Sequence, residues 1–213
     1  MDHLEPFDPK LVSELSVRAK QQLRQRARAL RRAHSAVVLG ERSARIVERV
    51  QALPAFQNAG KMALFWPLLE RGEVDLRTLD EKARAQGKAI YYPFVERTGQ
   101  RARTGFRLTH SCTELEVRGE RFAEPPETAE EAKRGDIDLV IVPALAVAGT
   151  GHRLGYGMGF YDATLPDVCP PARALVVAYG FELLAELPTE PHDFACELVV
   201  TDERSLEVGT SSG

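Results

Sequence analysis

The sequence has 213 residues and a mass of 23.6 kDa, with 44% hydrophobic and 28% charged residues, enough for one substantial core and too apolar for a disordered chain. Its 28 Lys+Arg against 31 Asp+Glu leave a formal net charge of −3 and a pI near 6.0, which argues against a surface built throughout to grip nucleic acid. No apolar run approaches the roughly 20 residues of a membrane span, and the opening MDHLEPFDPK has neither a basic leader nor an apolar stretch, so a cytoplasmic location is expected.

The first feature along the chain is basic. Residues 18–49 carry ten Lys/Arg against only Glu41 and Glu48, a local charge of +8 within an otherwise acidic chain. Leu15, Ala19, Leu23, Ala27 and Leu30 recur at helical spacing and predict a helix that docks this apolar stripe on the core. Lys20, Arg24, Arg28 and Arg31 form a cationic ridge beside it, most of which reads as a solvated face. A second helix is expected over residues 41–53, ended by Pro54.

Beyond it the texture becomes that of strands alternating with helices. Residues 61–66 and 88–94 read as strands around a helix over 75–86 that Gly87 ends, which implies a parallel sheet. Residues 104–109 read as an added strand, and the acidic stretch 120–135 with Pro125-Pro126 as a loop with at most a short helix. The apolar run over 137–143 reads as a central strand buried on both faces, followed by strands around 174–179 and 196–201. The fold expected is a single α/β domain, with flexible segments over residues 1–16 and 204–213 flanking a domain over 17–203. Cys112, Cys169 and Cys196 form no Cys-x-x-Cys pair and read as ordinary thiols.

The most informative segment follows the central strand. Glycines at 149, 151, 155, 157 and 159 lie between it and an expected helix, where open α/β sheets bind ligands. Glycines so placed let backbone N–H groups converge on an anion, and a helix N-terminus adds its positive end. Arg153 offers a guanidinium for phosphate oxygens and Asp162 a carboxylate for magnesium. The segment is neither a Walker A loop nor a dinucleotide fingerprint, and a purely structural turn capped by Asp162 is the competing reading.

Pro143 followed by Arg153-Leu-Gly-Tyr-Gly-Met-Gly-Phe-Tyr-Asp162 closely resembles the signature of the 5-formyltetrahydrofolate cyclo-ligase (5,10-methenyltetrahydrofolate synthetase) family. Lys20-Gln-Gln-Leu-Arg24, Glu73-Val-Asp75 and Leu187-Pro-Thr-Glu-Pro-His-Asp193 match three further family motifs in the same order. The chain departs from the pattern at Met158, at Phe160 where a Tyr is usual, in a long stretch over 66–73, and in lacking a glutamine near 181–186. The resemblance implies a three-layer sandwich like the NagB/RpiA/CoA-transferase fold, with a mostly parallel central sheet and an N-terminal basic helix.

It also implies an ATP- and Mg2+-dependent cyclisation of 5-formyltetrahydrofolate to 5,10-methenyltetrahydrofolate, by a monomer whose partners are small molecules. Arg153 and Glu73 would be catalytic. Lys20, Arg24, Gly155, Gly157, Gly159 and Tyr161 would bind ATP. Arg24, Leu68, Glu73, Tyr156 and Phe160 would bind the folate, and Asp162 and Asp193 would serve the metal. The competing readings are local: Glu73 as an acid at the start of the following helix, Asp193 as a turn cap, His192 as structural, and Phe65 and Trp66 as strand core. Three other functions remain as alternatives: a catalytically weak nucleotide- or folate-binding regulatory module, nucleic-acid binding through the basic segment, and a phosphosugar isomerase.

Overall fold

A computed structural model describes residues 9–98, 101–118 and 122–209. The chain opens with α1 (Pro9–Ala33) and α2 (Ala36–Ala52), separated at Ser35, whose hydroxyl caps α2 by accepting from the Val38 N–H at 3.3 Å. α3 (Pro54–Asn58) follows directly, with its proline at the first turn. Then come β1 (Lys61–Ala63), α4 (Arg77–Ala85), β2 (Ala89–Thr98) and β3 (Arg101–Thr109). β4 (Glu116–Arg118) and β5 (Phe122–Glu124) form a small ribbon. β6 (Leu139–Pro143), β7 (Ala146–Ala148), β8 (Arg153–Leu154), α5 (Phe160–Val168) and β9 (Arg173–Val177) follow. β10 (Leu183–Leu184), β11 (Leu198–Val200) and β12 (Ser205–Glu207) end the fold.

Seven strands form the central sheet in the order β12-β11-β9-β6-β1-β2-β3. Neighbours from β11 to β2 are parallel, and β12 and β3 add antiparallel edges. The central strands alternate between two cores because successive side chains point to opposite faces. Leu139, Ile141, Leu175 and Val177 pack with Ile46, Val50 and Leu79 of α2 and α4 on one face. Val140, Val142, Ala174 and Val176 pack with Leu165 and Val168 of α5 on the other. The expected three-layer α/β architecture with a mostly parallel sheet is therefore present.

Four differences from the sequence reading have physical reasons. The apolar stripe of α1 is not its docking face: Leu15 is 54% and Leu30 36% exposed, whereas Lys20 is 8% and Arg31 2% exposed, with Ala27 the buried apolar residue between them. The ridge turns inward because carboxylates and carbonyls inside the molecule partner it, which helical periodicity alone cannot register. α1 also begins at Pro9, inside the segment read as flexible, and residues 205–207 of the expected tail pair with β11 as an edge strand. The acidic stretch holds β5 and a bridge between Arg107 and Glu131, and no helix among its described residues. Finally, the strand expected over 61–66 stops at Ala63, and the rest of it turns toward the cleft described below.

Candidate active site

The five clustered glycines do two separate jobs. Gly149 and Gly151 turn the hairpin between β7 and β8, and Gly151 has φ +82° with its missing Cβ only 2.0 Å from the carbonyl oxygen of Cys196. That pair is structural, as the competing reading held. Gly155, Gly157 and Gly159 instead line a cleft of 840 Å³ and lead into the N-terminus of α5, with Gly159 at φ +67° as its N-cap. β7, β8 and β10 form a separate three-stranded sheet that carries this loop.

The cleft opens where β1 and β6 end, bounded there by Phe65, Trp66 and Pro143. Every residue to which the resemblance gives a site role lines it: Lys20, Arg24, Leu68, Glu73, Arg153, Gly155, Tyr156, Gly157, Gly159, Phe160, Tyr161, Asp162 and Asp193. Its lining is mixed in chemistry: Phe65, Trp66, Pro93, Phe122 and Phe160 are apolar or aromatic, whereas α1 contributes Lys20, Arg24, Arg28 and Arg32 and the glycine loop contributes its backbone.

Among the cations, Arg24 donates from Nε to the Gly155 carbonyl at 2.9 Å and lies against Gly157. Burial, and then the like charge of Arg28, lower its pKa, so its positive charge is under-compensated. Arg153, its side chain 3% exposed, donates to the Phe194 carbonyl at 2.7 Å and to Asp162 Oδ1 at 2.8 Å. Asp162 Oδ1 also accepts from the Phe194 N–H at 3.2 Å, so the guanidinium is held in one orientation by the chain around it.

Lys20 is the third cation. Its Nζ lies 2.6 Å from Glu190 Oε2 and 2.7 Å from Asp193 Oδ2. Burial opposes the charge, but the hydrogen bonds to Asp193 and Glu190 outweigh it and leave the Lys20 pKa above its ordinary value. Asp193 also accepts from the Glu190 N–H at 2.8 Å, so it is a turn cap and an ion-pair partner at once. Glu190, His192 and Asp193 offer ligand atoms within 4.8 Å of one another, and Asp162 lies outside that group. The Lys20 ammonium between two carboxylates shows that this corner accepts a cation, and its oxygen donors suit magnesium.

Glu73, also in the cleft lining, is buried, 7% exposed. It lies outside the first turn of α4, whose N-cap is Leu76 without a side-chain cap; Asp75 Oδ1, just before it, accepts from the Arg77 N–H at 3.0 Å. Glu73 Oε2 instead accepts from the Leu68 N–H at 2.8 Å, which fixes the long 66–73 turn. Burial raises its pKa, offset in part by the Leu68 N–H, by Tyr156, and by the charges of Arg31 and Arg71. Phe65 belongs to the core and also faces the cleft, Trp66 is half-buried and edge-on to Tyr92, and His192 is exposed beside Asp193. Arg28, Arg32, Arg71 and Glu190 also line the cleft and were not assigned to it from the sequence. Arg28 belongs to the α1 ridge and Arg32 continues it by one turn, and Glu190 lies within the Leu187–Asp193 motif, so these three carried a signal, whereas Arg71 carried none.

The sequence profile of the 5-formyltetrahydrofolate cyclo-ligase family matches residues 16–202. The 5-formyltetrahydrofolate cyclo-ligase of Mycolicibacterium smegmatis is 44% identical over 82 residues, 38% of this chain and 42% of that one. The Escherichia coli K12 enzyme of the same name is 29% identical over 187 residues, 87% of this chain and 99% of its own length. The NMR structure of Aquifex aeolicus 5,10-methenyltetrahydrofolate synthetase superposes with a TM-score of 0.77 at 28% identity, covering 91% of this chain and 95% of that one. One fold, four ordered motifs and one cleft that gathers them place this chain in the 5-formyltetrahydrofolate cyclo-ligase family.

Proposed function

We propose that the chain is an ATP- and magnesium-dependent cyclo-ligase that converts 5-formyltetrahydrofolate into 5,10-methenyltetrahydrofolate, ADP and phosphate. The observation that supports this reading is that a single cleft is lined both by aromatic side chains suited to a pteridine, such as Trp66, Phe122 and Phe160, and by the cations Lys20, Arg24 and Arg153 with a glycine loop suited to a triphosphate. A formamide carbon is a poor electrophile and its oxygen a poor leaving group. Transfer of the γ-phosphoryl group to that oxygen addresses both: the bond from γ-phosphorus to the bridging oxygen breaks, and ADP departs with the electron pair. The neighbouring aniline nitrogen then attacks the formyl carbon and loses its proton. The C–O bond breaks with release of phosphate, leaving the methenyl cation.

Each protein group has a task that follows from its charge and setting. Arg153, locked by Asp162 and Phe194, presents a fixed guanidinium to the transferring phosphoryl group. Lys20, Arg24 and the N–H groups from Gly155 to Tyr161 bind the remaining phosphates at the α5 N-terminus. Tyr156, Phe160 and Leu68 line the folate side, and buried Glu73 orients the pterin and offsets the positive charge that forms on ring closure. Asp193, with Glu190 beside it and Asp162 nearby, would hold magnesium, which supplies neutralisation of the phosphate oxygens.

The test is direct. Protein, ATP, magnesium and 5-formyltetrahydrofolate are mixed and methenyl-folate absorbance is followed; product should require all three additions and match ADP formed. No product at high protein concentration overturns the catalytic reading and leaves the regulatory one. Glu73→Gln is expected to lower turnover by at least about tenfold, as for loss of one stabilising charge at a reacting centre. Unchanged turnover and folate affinity would remove Glu73 from the mechanism.

A further inference from the structure

Tyr179 and Ser43 lie outside the cleft lining, yet together they close a ring of hydrogen bonds around the backbone that delivers Glu73 to it. Both are buried, with Ser43 on the core-facing side of α2 among Leu39, Ile46 and Val47. Tyr179 follows β9, and its ring stacks on Phe181 with centroids 5.3 Å apart. Its hydroxyl donates to the Glu73 carbonyl at 3.1 Å. The Ser43 hydroxyl lies 3.2 Å from that of Tyr179 and accepts from the Asp75 N–H at 3.0 Å.

The direction of each bond follows from its neighbours. A carbonyl oxygen only accepts, so the Tyr179 proton is committed to Glu73. The Ser43 proton therefore goes to the Tyr179 oxygen, while the Ser43 oxygen takes the Asp75 N–H. One run, from the Asp75 N–H through Ser43 and Tyr179 to the Glu73 carbonyl, thus begins and ends on the same short stretch of chain.

Buried hydroxyls that satisfy buried backbone groups are ordinary in a folded protein, and it is what these two hold that gives them a further task. Between the end of β1 and the start of α4 the chain has a single 3-10 turn, Leu69–Arg71, and no other helix or strand. The turn's own bonds run from the Leu68 N–H to Glu73 Oε2 at 2.8 Å and from the Glu73 N–H to the Leu68 carbonyl at 3.4 Å. They join its ends to each other and do not tie it to the sheet or the helices. Val74 and Leu76 sink into the core beside it, but apolar burial is non-directional, whereas a hydrogen bond fixes both distance and angle.

We propose that Tyr179 and Ser43 are a positioning pair for the reaction: they lock the Glu73–Asp75 backbone to α2 and to the end of β9, and thereby set where the Glu73 carboxyl meets the folate. The inference rests on the role given to Glu73 above and requires no particular protonation state of that group. A small displacement is enough to matter, because groups at a reacting centre act only within a narrow range of geometry.

The experiment measures kcat and KM for 5-formyltetrahydrofolate, and KM for ATP, well below the melting temperature. It compares the full chain with Tyr179→Phe, Ser43→Ala, Glu73→Gln and the double variant Tyr179→Phe/Glu73→Gln. Tyr179→Phe keeps the stacked ring and removes the hydroxyl alone. It should lower kcat/KM for the folate by about tenfold while KM for ATP stays within about twofold, because neither hydroxyl bonds to Lys20, Arg24 or the glycine loop. Ser43→Ala, which frees the Asp75 end of the run, should lower kcat/KM severalfold by the same route. In the Glu73→Gln background the Tyr179 change should add less than about twofold, the mark of a residue that acts through Glu73. A lower melting temperature with kcat/KM for the folate unchanged would make the pair structural and overturn the proposal. Parallel rises in both KM values, or a full additional loss in the Glu73→Gln background, would overturn it too. Should Tyr179→Phe not fold, unchanged kcat/KM in Ser43→Ala overturns it equally. A loss in Glu73→Gln with none in Tyr179→Phe would leave the role of Glu73 standing and remove the pair alone, whereas no loss in Glu73→Gln would end the reading of Glu73 itself.

Discussion

At the scale of single residues, the cleft is governed by which charges are compensated. Lys20 holds Asp193 and Glu190, whereas Arg28 and Arg32 carry no ion pair among the described residues. The Asp193 carboxyl sits below the ordinary carboxylate range: burial opposes this, but the Lys20 hydrogen bond and the Glu190 N–H outweigh it. A depressed carboxyl pKa contributes stability above the unfolded value of about 3.9, and that contribution is lost as pH falls through the folded value. The raised Lys20 pKa acts at the other end, so its contribution is complete below about 10.4 and lost only as pH rises through its folded value. Lys20→Met should therefore lower the melting temperature at neutral pH and match the unsubstituted chain near pH 2. Thermal melts across that range check this, and an equal deficit at both ends would mean the loss is one of packing. Asp193→Asn should raise the magnesium concentration needed for half-maximal rate by about tenfold, as for loss of one carboxylate at a hard-cation site.

Elements explain why part of the site was legible and part was not. Motif residues such as Lys20, Arg24, Arg153 and Asp193 declared themselves by type and order, and the cleft receives all of them. The sheet was legible because runs such as residues 139–142 are apolar on both faces. What stayed hidden depends on partners far along the chain. Lys20 meets Asp193 across 173 positions and Arg31 meets Glu182 across 151, so no local pattern foretells that α1 docks through its charged face. The same reason hides how the five glycines divide, since Gly151 is required by a carbonyl of Cys196. Two substitutions separate the two jobs. Gly151→Ala forces a Cβ to 2.0 Å from that oxygen and should cost about 3 kcal/mol or more, roughly a 10 °C fall in melting temperature. Gly157→Ala, at φ +96° with the Arg24 guanidinium carbon 3.4 Å from the new Cβ, should cost less stability and instead raise KM for ATP severalfold. Equal thermal losses with unchanged KM would mean that both glycines are structural.

For the molecule as a whole, the core and the cleft are held by different forces. α2, α4 and α5 are fastened to the sheet by apolar residues such as Ile46, Leu79 and Leu165, all fully buried. α1 is fastened through Ala27 and a set of ion pairs and hydrogen bonds from Lys20, Arg24 and Arg31 that themselves form or brace the cleft wall. Polar docking of this kind yields little net free energy per contact, because each group gives up water to make it. The helix that carries the cleft's cations Lys20 and Arg24 is therefore the part of the domain whose attachment should respond most to what the cleft contains. Magnesium and ATP together should slow amide hydrogen exchange in residues 14–31 by at least about tenfold, while the interior of α2 changes little, because binding energy is shared with the helix that contributes the contacts. Raising salt should speed exchange in α1 selectively, since charge pairs near the surface are screened and apolar burial is not. Mass spectrometric exchange of the full chain measures both effects. Uniform protection of α1 and α2 on nucleotide addition would show instead that the basic helix is as firmly part of the core as the helix after it.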